Sequence, residues 1–435
     1  MESLIQDPAL WAVLLFVTPL LLRVPIAVAL GGAALAVAYR WDLGYEMLSY
    51  NIYAGVAKFP LLAIPFFILA GIIMERAGIA ARIVDLMKAL VGSMTGGLGI
   101  ATVAVATFWG AVSGSGPATV AALGLILIPG MACAGYDKRF ATAVVSVTSG
   151  LAIVIPPSIA FIVYGGVANV SVPALFAAGF IPGILVALCL AGSVWLTSWR
   201  HGYRGSCGPG EEPARVWPAL RRAFWGVMTP VIILGGIYGG VFTPTEAAAV
   251  AVFYGLFVGV FVYRTIRSVR ELFEIFAATM HGTAVVMIVV TCAGLFSWVG
   301  ATVGLVEKGS AVLLGASDSQ WVILFMINAI LLLAGMVLDA ISIYYVFLPV
   351  MLPLIHHFGW DPIWFGVMMT VNLAVGQVTP PVAVNLYVGA NISGLTMEEI
   401  ARPALPLIFA ALIALAFIVA FPDLSTFLPR LLGLE

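Results

Sequence analysis

Asp339 is the only Asp, Glu, Lys or Arg between residues 319 and 360, and it stands inside the apolar segment "LAGMVLDAISIYYVFLP" (333–349). A carboxylate carried into a bilayer costs roughly 2.5–3.5 kcal/mol on insertion scales and needs a partner there. No basic residue is near it in the sequence, so a bound cation is the natural partner. Capping of the following helix is a second role, compatible with the first. A second uncharged stretch, "TFWGAVSGSGPATVAALGLILIP" (107–129), sets Ser113, Gly114, Ser115, Gly116 and Pro117 at its middle. Non-helical backbone at membrane depth is tolerated only inside protein or around a water-filled site. These five residues therefore read as the tip of a re-entrant hairpin. Pro117 suits the first turn of the returning helix, with Ser115 or Gly116 as its N-cap. The exposed N–H groups of that helix favour an anion. The tip carbonyls and the hydroxyls of Ser113, Ser115 and Thr119 are hard oxygen donors that suit Na⁺. A Ser/Gly-rich kink in an ordinary spanning helix is the plainer alternative.

Each stretch precedes a span that is broken near its centre. In "TSGLAIVIPPSIAFIVYG" (148–165), Pro156 and Pro157 remove two backbone donors, with Ser149 and Ser158 beside them. In "NLAVGQVTPPVAVNLYVG" (372–389), Pro380 and Pro381 do the same, flanked by Gly376, Gln377, Thr379 and Asn385. Proline pairs also serve as plain kinks. Two hairpins and two broken helices supply helix ends and free carbonyls at the bilayer midplane, where secondary transporters bind substrate and coupling ions. For a cation, the expected oxygens come first from Asp339, Ser115 and Thr379, with Gly335 and Ser342 completing the second tip.

These residues need a membrane-embedded frame, and the composition supplies one. Of 435 residues, 63% are hydrophobic and 9% are charged, with a net charge of −1. That excludes a soluble domain and a nucleic-acid footprint. Cys133, Cys189, Cys207 and Cys292 show no metal or disulfide spacing. The acidic opening "MESLIQDPALWAVLL" reads as a mature N-terminus rather than a signal peptide. Spans are expected near 9–22, 25–40, 60–77, 138–168, 172–198, 223–241, 245–263, 278–303, 361–392 and 402–422, with hairpins at 97–133 and 321–357. The fold class is an all-α polytopic membrane protein.

The two halves resemble one another. Pro25 matches Pro244, Gly71 matches Gly294, Pro129 matches Pro349, Pro182 matches Pro406, and "IPPS" matches "TPPV", at offsets of 219 to 224 residues. The expected division is a first repeat at 1–198, a cytoplasmic linker at 199–217 and a second repeat at 218–435. Five spans per repeat invert the second copy. With the N-terminus outside and both hairpins returning to their own side, only Arg40, Lys58, Lys308 and Arg430 of the 19 Lys and Arg fall outside. That bias fits the positive-inside rule, and making either hairpin a full span destroys it. Two features read as structural. Thr243-Pro-Thr-Glu246 is a capping box with proline in the first turn. "ARIVDLMKAL" (81–90) is an amphipathic helix at the inner surface.

The motifs "SGSGPATVAALGLILIP", "FTPTEAAAVA", "IPPS", "GMVLDA" and "GQVTPPVAVNLYV" occur in order along the chain. On them the sequence closely resembles the large membrane subunit of TRAP (tripartite ATP-independent periplasmic) transporters. The resemblance implies a prokaryotic inner-membrane location and an elevator-type mechanism. It also implies a small membrane subunit and a periplasmic substrate-binding protein as partners, and import of an organic acid, such as a dicarboxylate or sialic acid, coupled to Na⁺. No four-helix segment precedes the first span, so the small subunit is expected as a separate chain. A self-sufficient cation-coupled carboxylate transporter is the nearest alternative. A membrane-embedded enzyme is opposed by the lack of a catalytic constellation, and no Walker motif points to ATP.

Overall fold

The computed structural model describes residues 6–92, 94–203 and 215–434. The first half runs α1 (Pro8–Leu21), α2 (Ile26–Arg40), α3 (Tyr45–Val56), a 3₁₀ turn (Phe59–Leu62), α4 (Ala63–Arg76) and α5 (Ile79–Val91). It continues with α6 (Gly97–Ser113), α7 (Gly116–Cys133), α8 (Lys138–Thr148), a 3₁₀ turn (Ser149–Ile153), α9 (Ile159–Ala168) and α10 (Val172–His201). The second half runs α11 (Val216–Tyr238), α12 (Pro244–Phe257), a π turn (Val258–Val262), α13 (Val269–Thr302) and α14 (Leu305–Leu314). Then come α15 (Gln320–Gly335), α16 (Ala340–Phe358), α17 (Pro362–Gly376), α18 (Val384–Ser393), α19 (Met397–Ala420) and α20 (Asp423–Leu432). Among the described residues, 8 helices are long and apolar enough to cross a membrane.

Several helices begin earlier than their apolar runs. α13 starts at a Ser268–Glu271 capping box and α19 at a Thr396–Glu399 capping box, both in polar sequence. Reciprocal capping lets a helix begin before its hydrophobic stretch does, so the expected starts at 278 and 402 fall inside the helices. α11 likewise begins at Val216 rather than 223, carrying Arg221 and Arg222 in its first turns. The Thr243–Glu246 box is present as expected. Of the linker expected at 199–217, residues 204–214 lie outside the described residues, and its two ends are helical.

One group of helices packs through small residues. α2 lies along α13, α4 along α12 and α5 along α11. The buried face of α2 is Ala29, Leu30, Gly31, Ala33, Ala34, Val37 and Ala38. Small side chains of this kind let backbones approach closely where lipid offers no hydrophobic drive. Arg82 of α5 donates to the carbonyls of Ala77 and Gly78 at 3.2 and 2.8 Å and lies 3.7 Å from the Tyr263 ring centre. That fastens the α4–α5 corner to the end of α12.

The other group contains both hairpins. α7 and α8 pack on α18, α15 on α17, and α10 on α19. The open end of the α6–α7 hairpin lies at the C-terminal end of α10, where the Gly96 N–H donates to the Tyr203 carbonyl at 3.0 Å and Tyr136 stacks on Tyr203. On that same side Arg139, at the start of α8, pairs with Glu399, at the start of α19, at 3.4 Å. Beyond the open end of the α15–α16 hairpin, Trp364 of α17 donates to the Ile418 carbonyl, near the other end of α19, at 2.9 Å. The two hairpins therefore enter from opposite ends of α19.

One cation bridges the groups. Lys58, at the α3–α4 junction, donates to the Gly166 carbonyl in the last turn of α9 at 2.8 Å. Such a carbonyl has no helical partner of its own, and a cation suits the negative end of the helix. Lys58→Met is expected to speed amide hydrogen exchange at the end of α9 about fivefold, a loss of ~1 kcal/mol for a half-buried charged hydrogen bond. Unchanged exchange at residues 168–170 would mean that the contact carries no energy.

Candidate functional site

The first tip is shorter than the five residues expected. α6 continues through Ser113, only Gly114 and Ser115 lie outside helix, and α7 starts at Gly116. Gly114 makes the reversal with a φ of 62°, a left-handed conformation that glycine adopts freely. Ser115 is the N-cap of α7, yet its side chain makes no capping bond. The second tip runs from Met336 to Asp339. The Asp339 carboxylate caps α16, accepting from the Ile341 N–H at 3.1 Å and from the Ser342 hydroxyl.

The tips meet the two breaks. A Cβ on Gly114 would stand 3.3 Å from the Ile159 nitrogen, at the break between α8 and α9. A Cβ on Gly116 would stand 2.8 Å from the Asn385 Nδ2, which places the first tip against the second broken helix. At the second tip, Gly335 and Gly376 touch backbone to backbone, and a Cβ on Gly376 would stand 2.8 Å from the Gly335 Cα. The peptides Pro156–Pro157 and Pro380–Pro381 are both cis. Ala383, the N-cap of α18, has a φ of 47°, and its N–H reaches the Met336 carbonyl at 3.4 Å. A side chain held in left-handed backbone is strained, and such strain collects at functional sites.

Between these tips and the first group of helices lies a cavity of about 540 Å³. Its far wall is apolar, made of Pro25–Ala27 at the start of α2 and of Val285, Val286, Ile288 and Val289 in the middle of α13. Its near wall carries Gly114–Pro117, Asp339, Gln377 and the starts of α9 and α18. Ile26, Gly116, Ile159, Ala340 and Val384 are each the first residue of a helix, and all five line the cavity. At four of those starts no side chain caps the amides; only Asp339 does so, on α16. Uncapped N–H groups and positive dipole ends thus converge on one space, and among the described residues no Lys or Arg lines it. Asp339 is the only ionisable group among those lining residues.

In the near wall and behind it sit buried polar atoms with no hydrogen-bond partner: the Gln377 Oε1 in the wall, and the Thr119 Oγ1 and both the Oδ1 and Nδ2 of Asn385 behind it. Buried polar atoms are nearly always paired, so a cluster of orphans calls for a ligand, an ion or water. Hard oxygens of this kind, together with the carboxylate that shares the cavity with Gln377, are donor types that suit Na⁺. Other expected residues are placed differently. The Ser149, Ser158 and Thr379 hydroxyls donate to the carbonyls of Val145, Ile153 and Val375 at 2.7, 2.6 and 2.7 Å, and none of the three lines the cavity. Pro156, Pro157 and Pro380 shape the breaks without lining the cavity. Ser113 turns back to the Ser115 carbonyl at 3.4 Å.

Sequence reasoning missed the α2 and α13 wall, which carries no polar signal. It also missed Asn328 and Asn372, whose amides join α15 to α17 through two 2.9 Å bonds. Two asparagines within uncharged spans were the available clue to that pair.

Residues 13–424 match the family model described as "Tripartite ATP-independent periplasmic transporter, DctM component". The chain belongs to this TRAP transporter family. It is a multi-pass membrane permease of the large-subunit type rather than an enzyme. It is 35% identical over 438 residues to the C4-dicarboxylate TRAP transporter large permease protein DctM of Rhodobacter capsulatus, covering 97% of this chain and 98% of that one. It is 36% identical to the sialic acid TRAP transporter large permease protein SiaM of Vibrio cholerae, covering 89% and 90%. To the isethionate TRAP transporter permease protein DctMQ of Oleidesulfovibrio alaskensis it is 37% identical over 93% of its own length, and it spans 64% of that longer relative. Among solved structures, the YdaH transporter of Alcanivorax borkumensis superposes with a TM-score of 0.62 at 17% identity, covering 96% of this chain and 100% of that one. That likeness concerns the fold alone.

Proposed function

We propose that this TRAP large permease carries an organic carboxylate across the membrane, coupled to Na⁺, in the cavity between its hairpin tips and the α2–α13 wall. The observation that carries the reading is the meeting of five helix starts, without a basic side chain, around a single carboxylate. Helix N-termini favour an anion, and Asp339 opposes one unless a cation stands between them. Na⁺ answers both demands, held by oxygens of Asp339, Thr119, Gln377 and Asn385. A dicarboxylate or sialic acid is the substrate class, in keeping with the names of the relatives. A small membrane subunit and a periplasmic substrate-binding protein complete the transporter, which works in a prokaryotic inner membrane.

Two inverted repeats carry the site, and the hairpins with their broken helices move as a unit along the apolar wall in the manner of an elevator. What supports this is the opposed entry of the hairpins and the smoothness of a wall built from Ile26, Ala27 and the valines of α13. The test is uptake of a labelled organic acid into proteoliposomes holding both membrane subunits, with the binding protein added outside. Uptake should need an inward Na⁺ gradient and the binding protein. Equal uptake without the binding protein would favour a self-sufficient transporter, and equal uptake with K⁺ would end the Na⁺ assignment.

Thr119→Val separates an ion ligand from a packing residue. Its hydroxyl is buried and unpartnered, so removal should leave stability unchanged or slightly raised. The Na⁺ concentration for half-maximal uptake should nevertheless rise about threefold to tenfold, the value of one such bond. A Na⁺ dependence identical to wild type would take Thr119 out of the site.

A further inference from the structure

A second cavity, of about 520 Å³, lies away from the tips, between α1, α14 and α16. Its sides are Leu10, Val13 and Val17 of α1, Val312 of α14, and Phe347 and Val350 of α16. Among the described residues that line it, only Asp7 and Lys308 are charged, and they pair at 2.7 Å. The transport reading uses none of these residues.

Three observations say what would fill it. The α1 residues at 10, 13 and 17 repeat at helical spacing and stay more than a third exposed, so one face of α1 is left without a protein partner. From Asp7 to Val17 the helix rises about 15 Å, which is half of a hydrocarbon core of about 30 Å, or one leaflet. The charged pair sits at the helix start, where such a leaflet reaches its headgroups, and the Lys308 side chain keeps 55% of its surface exposed. The Lys308 ammonium also holds the Asp7 carboxyl below its ordinary range.

We propose that this groove binds one phospholipid with a zwitterionic amine headgroup, its acyl chain lying along α1 and its phosphodiester and ammonium facing Lys308 and Asp7. An apolar slot one leaflet deep suits a chain, and paired opposite charges match a headgroup that carries both signs. The bound lipid packs on one side against α16, the helix that Asp339 caps, and on the other against α1 and α14. It forms part of the contact between the second hairpin and the surrounding helices.

Native mass spectrometry of the detergent-purified full-length protein, supplied with phosphatidylethanolamine, tests the assignment. Wild type should retain one lipid per chain. Val13→Trp, which fills the slot, and Lys308→Ala, which removes the phosphate contact, should each lower the retained fraction at least about fivefold, a loss of ~1 kcal/mol. Leu14→Trp, on the neighbouring face of α1, should leave it at the wild-type level. Equal retention in Val13→Trp and Leu14→Trp would overturn the proposal. Phosphatidylglycerol held as firmly as phosphatidylethanolamine would overturn the headgroup assignment. Cross-linking of a Val13→Cys protein to a co-purified small membrane subunit, with the lipid absent, would hand the groove to that subunit instead.

Discussion

Asp339→Asn is expected to cut Na⁺-driven uptake about tenfold to hundredfold while the protein still folds and assembles. The amide keeps the shape of the carboxylate and can still accept from the Ile341 N–H, so the cap on α16 survives. What it loses is the charge at the cavity, and a hydrogen bond or ion contact to a charged group is worth ~1.5–3 kcal/mol. Asp339→Ala should add a stability cost of ~0.5–2 kcal/mol for the missing cap. The two substitutions together separate the roles: melting temperature follows the cap, and Na⁺ dependence follows the charge. An Asp339→Asn protein with wild-type Na⁺ dependence in proteoliposomes would remove this residue from the ion site.

Gly376→Ala should be nearly as damaging, for a mechanical reason. The new methyl would meet the Gly335 Cα at 2.8 Å and its carbonyl carbon at 2.9 Å, and neither is a side chain that can swing away. The ends of α15 and α17 must part, at a packing cost of ~1–3 kcal/mol. Gln377, the next residue, would leave its place at the cavity. Uptake should fall about tenfold or more and the melting temperature by several degrees, whereas Gly192→Ala, whose methyl would enter open space inside α10, should leave uptake unchanged and the melting temperature no lower. Normal transport by the Gly376→Ala protein would show that the second tip and the second break need not stay in contact.

The tips and breaks were legible because local chemistry marks them. Gly114 and Ser115, the proline pairs and Asp339 all interrupt otherwise apolar sequence, and each interruption needs a reason at membrane depth. The capping boxes at Thr243, Ser268 and Thr396 are just as local, although apolar periodicity alone placed two of those helix starts too late. The short α3, α14 and α20 were not expected, since none has an apolar run long enough to announce a span. Convergence was hidden too. That Gly116 lies on Asn385, and that the start of α2 closes the cavity, are facts of packing between residues hundreds of positions apart. Hydroxyl roles were the least legible. Ser115 and Thr379 look alike in sequence, yet the Thr379 hydroxyl is engaged by its own helix and that of Ser115 makes no cap.

The lack of Lys and Arg around the cavity has a bearing on turnover. A fixed guanidinium would grip a carboxylate on whichever face the pocket opened, and letting go would be the slow step. In the proposed transport cycle the cargo is held instead by peptide dipoles and by ions that come and go. Once those ions drift away into a sodium-poor compartment, Asp339 would face the acid alone and push it out.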